Sequence, residues 1–124
     1  MLQVLNRKFI LSVALLCLMG FTGNAQSKHL FEVKDGNFMF DHKPMQILSG
    51  EMHYARIPHQ YWHHRLKMLK AMGLNTVATY VFWNAHETEP GKWNFEGDKN
   101  LSEFIKAAGE EGLFVILRPG PYAC

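Results

Sequence analysis

TYVFWNAHETEPGKW at residues 79–93 and LRPGPYAC at residues 117–124 are the most informative stretches of this chain. Each stretch starts at the end of a β-branched or apolar run that is typical of a strand, and continues with aromatic, charged and imidazole side chains. Chemistry-bearing residues directly after consecutive strands are typical of a parallel α/β barrel, which keeps its site at the carboxyl ends of its strands. The two stretches therefore predict a parallel α/β fold.

The chain around these stretches alternates strands with helices. Three runs, residues 45–48, 76–81 and 113–117, are predicted to be buried strands, and the last is apolar throughout, as expected when both sheet faces are covered. The first helix is predicted between Pro58, in its first turn, and Gly73, which ends it. Its buried face follows steps of four, three and three residues: Trp62, Leu66, Leu69 and Met72. This alternation predicts a parallel sheet with right-handed crossovers.

The second helix is predicted to begin near Asn100, because Glu103 three residues later completes a capping-box pattern. Gly112 is predicted to stop it, and a long polar and aromatic loop up to Lys99 is predicted to precede it. Its predicted buried face consists of Leu101, Phe104, Ile105 and Ala108.

A β-hairpin is predicted ahead of the sheet. Residues 30–40 (LFEVKDGNFMF) place Asp35 and Gly36 between two alternating apolar runs, which is a strong hairpin signal. Residues 41–44 (DHKP) are predicted to form a second turn.

A doubly wound sheet and a closed barrel both fit this alternation. No glycine-rich phosphate loop follows any of the predicted strands, which argues against a nucleotide-binding doubly wound sheet. Unusual residues follow all the predicted strands: Glu51, His53 and Tyr54 after the first, Tyr80, Trp83, Asn84, His86 and Glu87 at the second, and Arg118 and Tyr122 after the third. Their expected convergence on one rim favours the barrel.

Three linked phrases resemble the N-terminal barrel segments of family 35 glycoside hydrolases, the beta-galactosidase family. They are residues 49–62 (SGEMHYARIPHQYW), 69–95 (LKAMGLNTVATYVFWNAHETEPGKWNF) and 110–124 (EEGLFVILRPGPYAC). The resemblance implies a (β/α)8 TIM barrel. This chain would hold only its first three strands and two helices, preceded by the β-hairpin.

The resemblance also implies a reaction, the retaining hydrolysis of terminal, non-reducing beta-D-galactosyl residues. One glutamate serves as acid/base and a second as nucleophile. In the family the acid/base lies in an asparagine-glutamate pair after strand four, and the nucleophile lies near strand seven. Both would lie beyond Cys124, so no catalytic residue is expected in this chain, and the chain alone is expected to be inactive.

Substrate-binding residues are carried over position by position. Tyr80 matches the family's strand-two tyrosine, which contacts galactose. Ala123 and Cys124 match the start of a loop that holds sugar hydroxyls, partly through main-chain groups. Phe82 stands where many members have proline, Ala78 where a polar residue is common, and Ala123 where a larger aliphatic residue is usual.

Trp83 and Asn84, also at the rim, could each either bind the sugar or stabilise the local structure. Trp83 could stack on a pyranose face or pack beneath its loop. Asn84 could bind sugar hydroxyls through its amide, although a loop asparagine more often holds its own turn.

The charged and imidazole residues of the rim are expected to support the site rather than to react. Glu87 is predicted to pair across the rim with Arg118, whose guanidinium must be paired at the end of an apolar strand. Arg118 would either orient a catalytic carboxylate from beyond the chain or form a structural salt bridge. Glu51 and His53 are expected to be hydrogen-bonding residues behind the ligand contacts.

The seven histidines raise the question of a metal site. His59 and His63 are four residues apart and His64 adjoins, but a zinc site needs three or four converging ligands. No HExxH pattern or cysteine pair is present, and hydrolysis by two carboxylates needs no metal. No metal and no cofactor are therefore expected.

The first residues read as a secretory signal. Arg7 and Lys8 precede an apolar run at residues 9–19, and small residues lead to a cleavage site after Ala25. The run is shorter than the ~20 residues of a membrane-spanning helix. A lipoprotein signal with Cys17 as the lipidated residue is the less favoured alternative.

The expected organisation is a signal peptide at 1–25, a hairpin lead-in at 26–45 and an incomplete barrel at 46–124. The net charge of +2 comes from two basic residues of the leader, so nothing indicates nucleic acid or an anionic membrane as a partner.

An intact barrel takes ~250 residues, so the isolated chain is expected to aggregate or stay partly disordered. The expected protein is exported, periplasmic or extracellular, and takes a beta-galactoside substrate. The alternatives are another retaining barrel glycosidase, for beta-glucosaminides or beta-mannosides, and a non-catalytic carbohydrate-binding barrel.

Overall fold

A computed structural model describes residues 29–120 of the 124-residue chain. The predicted signal peptide and the last residues, including Tyr122, Ala123 and Cys124, lie outside the described residues. Within the described part, none of the helices has the length and apolar character needed to cross a membrane.

The predicted hairpin is confirmed, and it carries an additional strand. Its sheet contains β1 (Phe31–Lys34), β2 (Asn37–Phe40) and β3 (Lys43–Pro44), in that order and antiparallel. Asp35 and Gly36 form the first turn, with φ of 51° and 76°. The second turn is confined to Asp41 and His42, so the prediction of a turn over residues 41–44 is wrong in its second half. The Asp41 carboxylate accepts the Leu30 N–H at 2.9 Å, which fixes the tighter turn.

The second sheet is parallel, as the alternation predicts. Its strands are β4 (Ser49–Glu51), β5 (Thr76–Phe82) and β8 (Phe114–Gly120), in the order β4-β5-β8. The second and third predicted strands are confirmed and extend further toward their carboxyl ends.

The prediction that residues 45–48 form the first strand is wrong, because the strand begins at Ser49. Asn75 explains the difference. Its side-chain oxygen accepts the Leu48 N–H at 2.9 Å, and its side-chain nitrogen donates to the Gln46 carbonyl at 2.7 Å. These backbone groups are therefore bound by a side chain rather than by a neighbouring strand.

Three helices accompany the sheets: α1 (Trp62–Ala71), α2 (Trp83–His86) and α3 (Leu101–Glu110). A 3-10 turn at His59–Tyr61 leads into α1. The capping prediction is confirmed, since the Asn100 side chain accepts the Glu103 N–H at 3.1 Å. Gly73 and Gly112 follow the helix ends with φ of 87° and 69°, values that glycine adopts without strain.

The predicted loop up to Lys99 contains regular structure instead of being irregular throughout. It holds α2 and a second hairpin, made of β6 (Glu87–Glu89) and β7 (Lys92–Trp93). A 3-10 turn at Gly97–Lys99 follows.

The core lies between the parallel sheet and the two longer helices. Its buried apolar residues are Met52, Tyr54, Trp62, Leu66, Val77, Phe104, Ala107, Ala108 and Leu113. The predicted face of α1 is confirmed at Trp62 and Leu66, but Met72 is 73% exposed, because it lies beyond the end of the helix. On α3, Ile105 is 38% exposed and Ala107 is buried instead.

Alternate side chains of the parallel sheet point to opposite faces. Val77 and Thr79 are fully buried on the helix side. Among the described residues, helices cover only this face. Phe114 and Ile116 of β8 are 40% and 38% exposed, so the expectation that both faces are covered is not met within residues 29–120. The first hairpin attaches at the amino end of β8. There the Phe40 and Phe114 rings pack in a T-shaped arrangement, with their centroids 4.9 Å apart.

Gly50 of β4 packs closely against two leucine side chains, Leu69 and Leu74. A Cβ added there would lie 2.6 Å from Leu74 Cδ1 and 2.9 Å from Leu69 Cδ2. We expect Gly50→Ala to destabilise the protein by about 1–2 kcal/mol, because the leucines must move. Gly109→Ala is the control: its Cβ would meet nothing within 4 Å, so a slight stabilisation is expected.

The two variants are to be compared in the longer protein that the sequence predicts, by hydrogen-exchange mass spectrometry of peptides from β4 and β5. Equal protection in both variants would contradict the close approach.

Candidate functional site

The predicted rim residues meet on the uncovered face of the parallel sheet. The register pairs Glu51 with Ala78 and Arg118 with Tyr80. Paired residues of a sheet share a face, and residues two apart along a strand do too, so Glu51, Tyr80, Phe82 and Arg118 point the same way. All lie toward the carboxyl ends of their strands, where a parallel α/β fold places its ligands.

Arg118 links two of these residues. Its Nη1 donates to Glu51 Oε1 at 3.1 Å, and its Cζ lies 4.0 Å from the centroid of the Tyr80 ring. The Glu51 and Arg118 side chains are 47% and 48% exposed, so the ion pair alone contributes little to stability. Its consequence is geometric, since the carboxylate holds the guanidinium over the Tyr80 ring.

His53 contacts both Tyr80 and Glu51. Its ring centroid lies 5.4 Å from that of Tyr80, and its Nε2 lies 3.9 Å from Glu51 Oε1. The Tyr80 N–H donates to His53 Nδ1 over a long 3.5 Å, which places the histidine proton on Nε2, facing the carboxylate. The Phe82 ring packs against the same imidazole in a T-shaped arrangement, with the ring centroids 5.1 Å apart. We refer to Glu51, His53, Tyr80 and Arg118 as the rim cluster.

The predicted pairing of Glu87 with Arg118 is wrong. Glu87 Oε1 instead accepts the Gly91 N–H at 2.6 Å, inside the β6–β7 hairpin. Gly91 has a φ of 76°, so the carboxylate closes a tight turn that needs glycine. Glu87 therefore holds its own hairpin, and Glu51 is the carboxylate that pairs with the arginine.

Tyr54 and His86 were expected at the rim, but the structure places both in the core, where each is at most 1% exposed. The Tyr54 hydroxyl and His86 Nε2 are 2.5 Å apart, and His86 Nδ1 donates to the Asn94 carbonyl at 2.8 Å. The proton on Nδ1 leaves Nε2 as the acceptor of the tyrosine proton. Burial raises the pKa of Tyr54, which keeps it a neutral donor.

This buried hydrogen bond anchors α2 to the core. Tyr54→Phe is expected to cost about 1–3 kcal/mol of unfolding free energy, because His86 Nε2 loses its donor inside the protein. Tyr61→Phe serves as the control, since Tyr61 is 56% exposed and its change should stay within about 0.5 kcal/mol. Urea unfolding of the longer protein measures both, and equal midpoints for the two variants would contradict the assignment.

Trp83 lies at the same end of the sheet as the rim cluster, beside the other face. It is 49% exposed and lines a shallow cleft of about 490 Å³. The remaining lining residues are Val81, Trp93, Pro119 and Gly120. Asn84, which is exposed, lines a neighbouring depression with Glu87. These two residues are thus near the rim cluster without being part of it.

His59 and His63 have carboxylate partners. His59 donates its backbone N–H to Asp98 Oδ1 at 2.7 Å, and its Nδ1 lies 2.8 Å from the same oxygen. The backbone hydrogen bond lowers the pKa of Asp98, and the imidazole contact adds to the effect. His63 Nδ1 lies 2.7 Å from Glu111 Oε1, which joins α1 to the end of α3. Among residues 29–120, no three His, Cys, Asp or Glu side chains converge as a metal site requires.

Similar proteins agree on one family. Residues 37–124 match the description "Glycosyl hydrolases family 35". The chain is 44% identical over its whole length to a "Beta-galactosidase" of Xanthomonas manihotis, covering 21% of that protein. It is 45% identical over 105 residues to the "Beta-galactosidase" of Bos taurus, covering 85% of this chain and 16% of that protein.

A solved structure is also similar. The crystal structure of a beta-galactosidase from the psychrophilic Marinomonas ef1 superposes with a TM-score of 0.52 at 25% identity, covering 58% of this chain and 11% of that one. The chain thus spans about a fifth, or less, of the length of these relatives. With the family match extending over most of its residues, the chain belongs to glycosyl hydrolase family 35.

Proposed function

We propose that this chain is the N-terminal part of a longer retaining beta-galactosidase, which releases terminal, non-reducing beta-D-galactose from glycans. Family membership and the names of the similar proteins support the reaction class. The observation that carries the proposal is the rim cluster, which gathers polar and aromatic side chains at the carboxyl ends of parallel strands. An aromatic ring next to polar groups is a suitable surface for a sugar, which has both C–H faces and hydroxyls.

The uncovered sheet face would become the interior of a (β/α)8 barrel. Phe114 and Ile116 are exposed on this face, and later strands of a closed barrel would bury them. The sheet of β1, β2 and β3 would then lie at the bottom of the barrel, because Phe40 contacts β8 at its amino end. The rim cluster lies at the opposite end, where barrel enzymes bind substrate.

The mechanism divides between this chain and the segment after it. Two glutamates from beyond Cys124, with carboxyl groups roughly 5 Å apart, would flank the glycosidic bond. The nucleophile glutamate attacks the anomeric carbon while the acid/base glutamate protonates the leaving oxygen. The acid/base glutamate then deprotonates a water molecule, which hydrolyses the galactosyl ester. Glu51 is assigned no part in these steps; its carboxylate pairs with Arg118.

The role of this chain is to bind and orient the sugar. Tyr80, Ala123 and Cys124 would contact galactose, with Trp83 and Asn84 at the edge of the site. Glu51, His53 and Arg118 would support Tyr80, and Glu87 would support the neighbouring hairpin. No cofactor takes part in this mechanism.

A substrate panel tests the reaction and its specificity. The longer protein is assayed with aryl beta-galactoside, aryl beta-glucosaminide and aryl beta-mannoside, and NMR follows the anomer released first. We expect hydrolysis of the galactoside with beta-galactose appearing before mutarotation. Preference for another glycoside would indicate a different retaining glycosidase, and binding of galactose without turnover would indicate a carbohydrate-binding barrel.

We further propose that the protein is exported, with cleavage after Ala25. Support comes from the basic and apolar order of the leader and from its small residues before the cleavage point. Fractionation of expressing cells, with N-terminal sequencing of the product, tests this. A mature protein that starts at Gln26 outside the cytoplasm is expected, and an intact leader in the cytoplasm would contradict it.

A further inference from the structure

Two side chains contact the ring of Tyr80. The Arg118 guanidinium carbon lies 4.0 Å from the ring centroid, and the His53 ring lies 5.4 Å away at a tilt of 46°. Glu51 contacts both neighbours, at 3.1 Å to Arg118 Nη1 and 3.9 Å to His53 Nε2. The rim cluster is therefore a closed set of contacts around one aromatic ring.

These contacts fix the ring better than its strand position alone would. Tyr80 is only partly buried, so packing by the core does not determine the direction of its side chain. A guanidinium over a tyrosine face is attracted by the electron-rich ring, and the attraction is stronger where water is excluded. Anchoring that guanidinium at a carboxylate reduces the freedom of a long side chain, which otherwise opposes the contact.

We propose that Arg118, held by Glu51, is a positioning residue that acts on the substrate through Tyr80. This inference rests on the proposed function, since it requires the Tyr80 hydroxyl to contact the sugar. Small displacements of a substrate-binding group cost large factors in rate, so the effect is visible in kinetics.

A double-mutant cycle in the longer protein tests it. Arg118→Met keeps an unbranched apolar stem and removes both the charge and the planar fork. We expect it to lower kcat/KM for an aryl beta-galactoside by about tenfold and to raise the inhibition constant of galactose, with little change in hydrogen exchange of β5. In a Tyr80→Phe background the same change should lower kcat/KM by less than about twofold, because the hydroxyl that it positions is already absent.

Two further variants keep the test decisive if Arg118→Met folds poorly. Glu51→Gln should lower kcat/KM less than Arg118→Met does, and its effect should also disappear in the Tyr80→Phe background. Arg118→Lys should give a kcat/KM between those of Arg118→Met and the wild type, because an ammonium retains the cation over the ring but not the planar fork. Arg65→Met, on the exposed side of α1, is the control and should leave activity unchanged.

The outcomes separate the two proposals. If the enzyme is active but the double variant loses kcat/KM by the product of the two single losses, the positioning role of Arg118 is overturned. The galactosidase assignment then still stands. Arg118→Lys no better than Arg118→Met would also overturn it. A correctly folded wild-type protein that releases no galactose would overturn the proposed function, and the inference with it.

Discussion

Phe104→Ala is expected to cost about 3–5 kcal/mol of unfolding free energy, the largest single-residue effect on stability that the structure predicts. Phe104 is fully buried, and its ring lies 5.6 Å from Tyr54 and 5.5 Å from Trp62. Truncation leaves a cavity where the sheet and both longer helices meet. In the longer protein the change should appear as loss of soluble yield or as a lower urea midpoint for the transition that includes this segment.

Ile105→Ala is the matched control, one residue further along the same helix. Ile105 is 38% exposed, so the same kind of truncation should cost less than about 1 kcal/mol. Similar losses for both variants would mean that α3 does not pack against the sheet through the face that contains Phe104.

The second large effect concerns the chain by itself. We expect the purified chain to release no galactose above buffer background, whereas the longer protein turns over at an ordinary enzymatic rate. The reason is that this chain would contribute sugar contacts but neither glutamate. Its exposed apolar side chains on the uncovered sheet face should also make it aggregate.

Light scattering and an aryl beta-galactoside assay measure this expectation. The longer protein with both later glutamates replaced by glutamine is the control, and it should stay folded but inactive. Hydrolysis by the chain alone, or a cooperative thermal transition in it, would contradict the account.

Much of the fold was predictable from local signals. Asn100 with Glu103 marked a helix start, and Gly73 and Gly112 marked helix ends, because these residues act within one turn of the chain. The error at residues 45–48 has a different cause. Asn75, almost thirty positions away, binds the backbone of that run, and an apolar pattern carries no information about such a partner.

The convergence of the candidate site residues on one rim was predicted, but their contacts were predicted only in part. Strand ends placed Glu51, Tyr80 and Arg118 at one rim, as parallel register requires. The partner of Arg118 was wrong, since Glu87 closes its own turn at Gly91 over a short sequence separation.

The buried pair was missed for a related reason. Tyr54 and His86 follow strands like the rim residues do, and both are polar-aromatic, so their positions resemble site positions. Their mutual hydrogen bond satisfies both groups and allows them to enter the core. Only the three-dimensional pairing distinguishes them from the rim cluster.

A crystal structure of the longer protein with bound galactose would show where the sugar lies relative to the rim cluster. We expect the sugar on the sheet face that carries Glu51, Tyr80 and Arg118, at the carboxyl ends of the strands, within hydrogen-bond distance of the Tyr80 hydroxyl. Galactose bound at the hairpin end of the sheet, or a rim cluster filled by protein with no room for a hexose, would contradict this expectation.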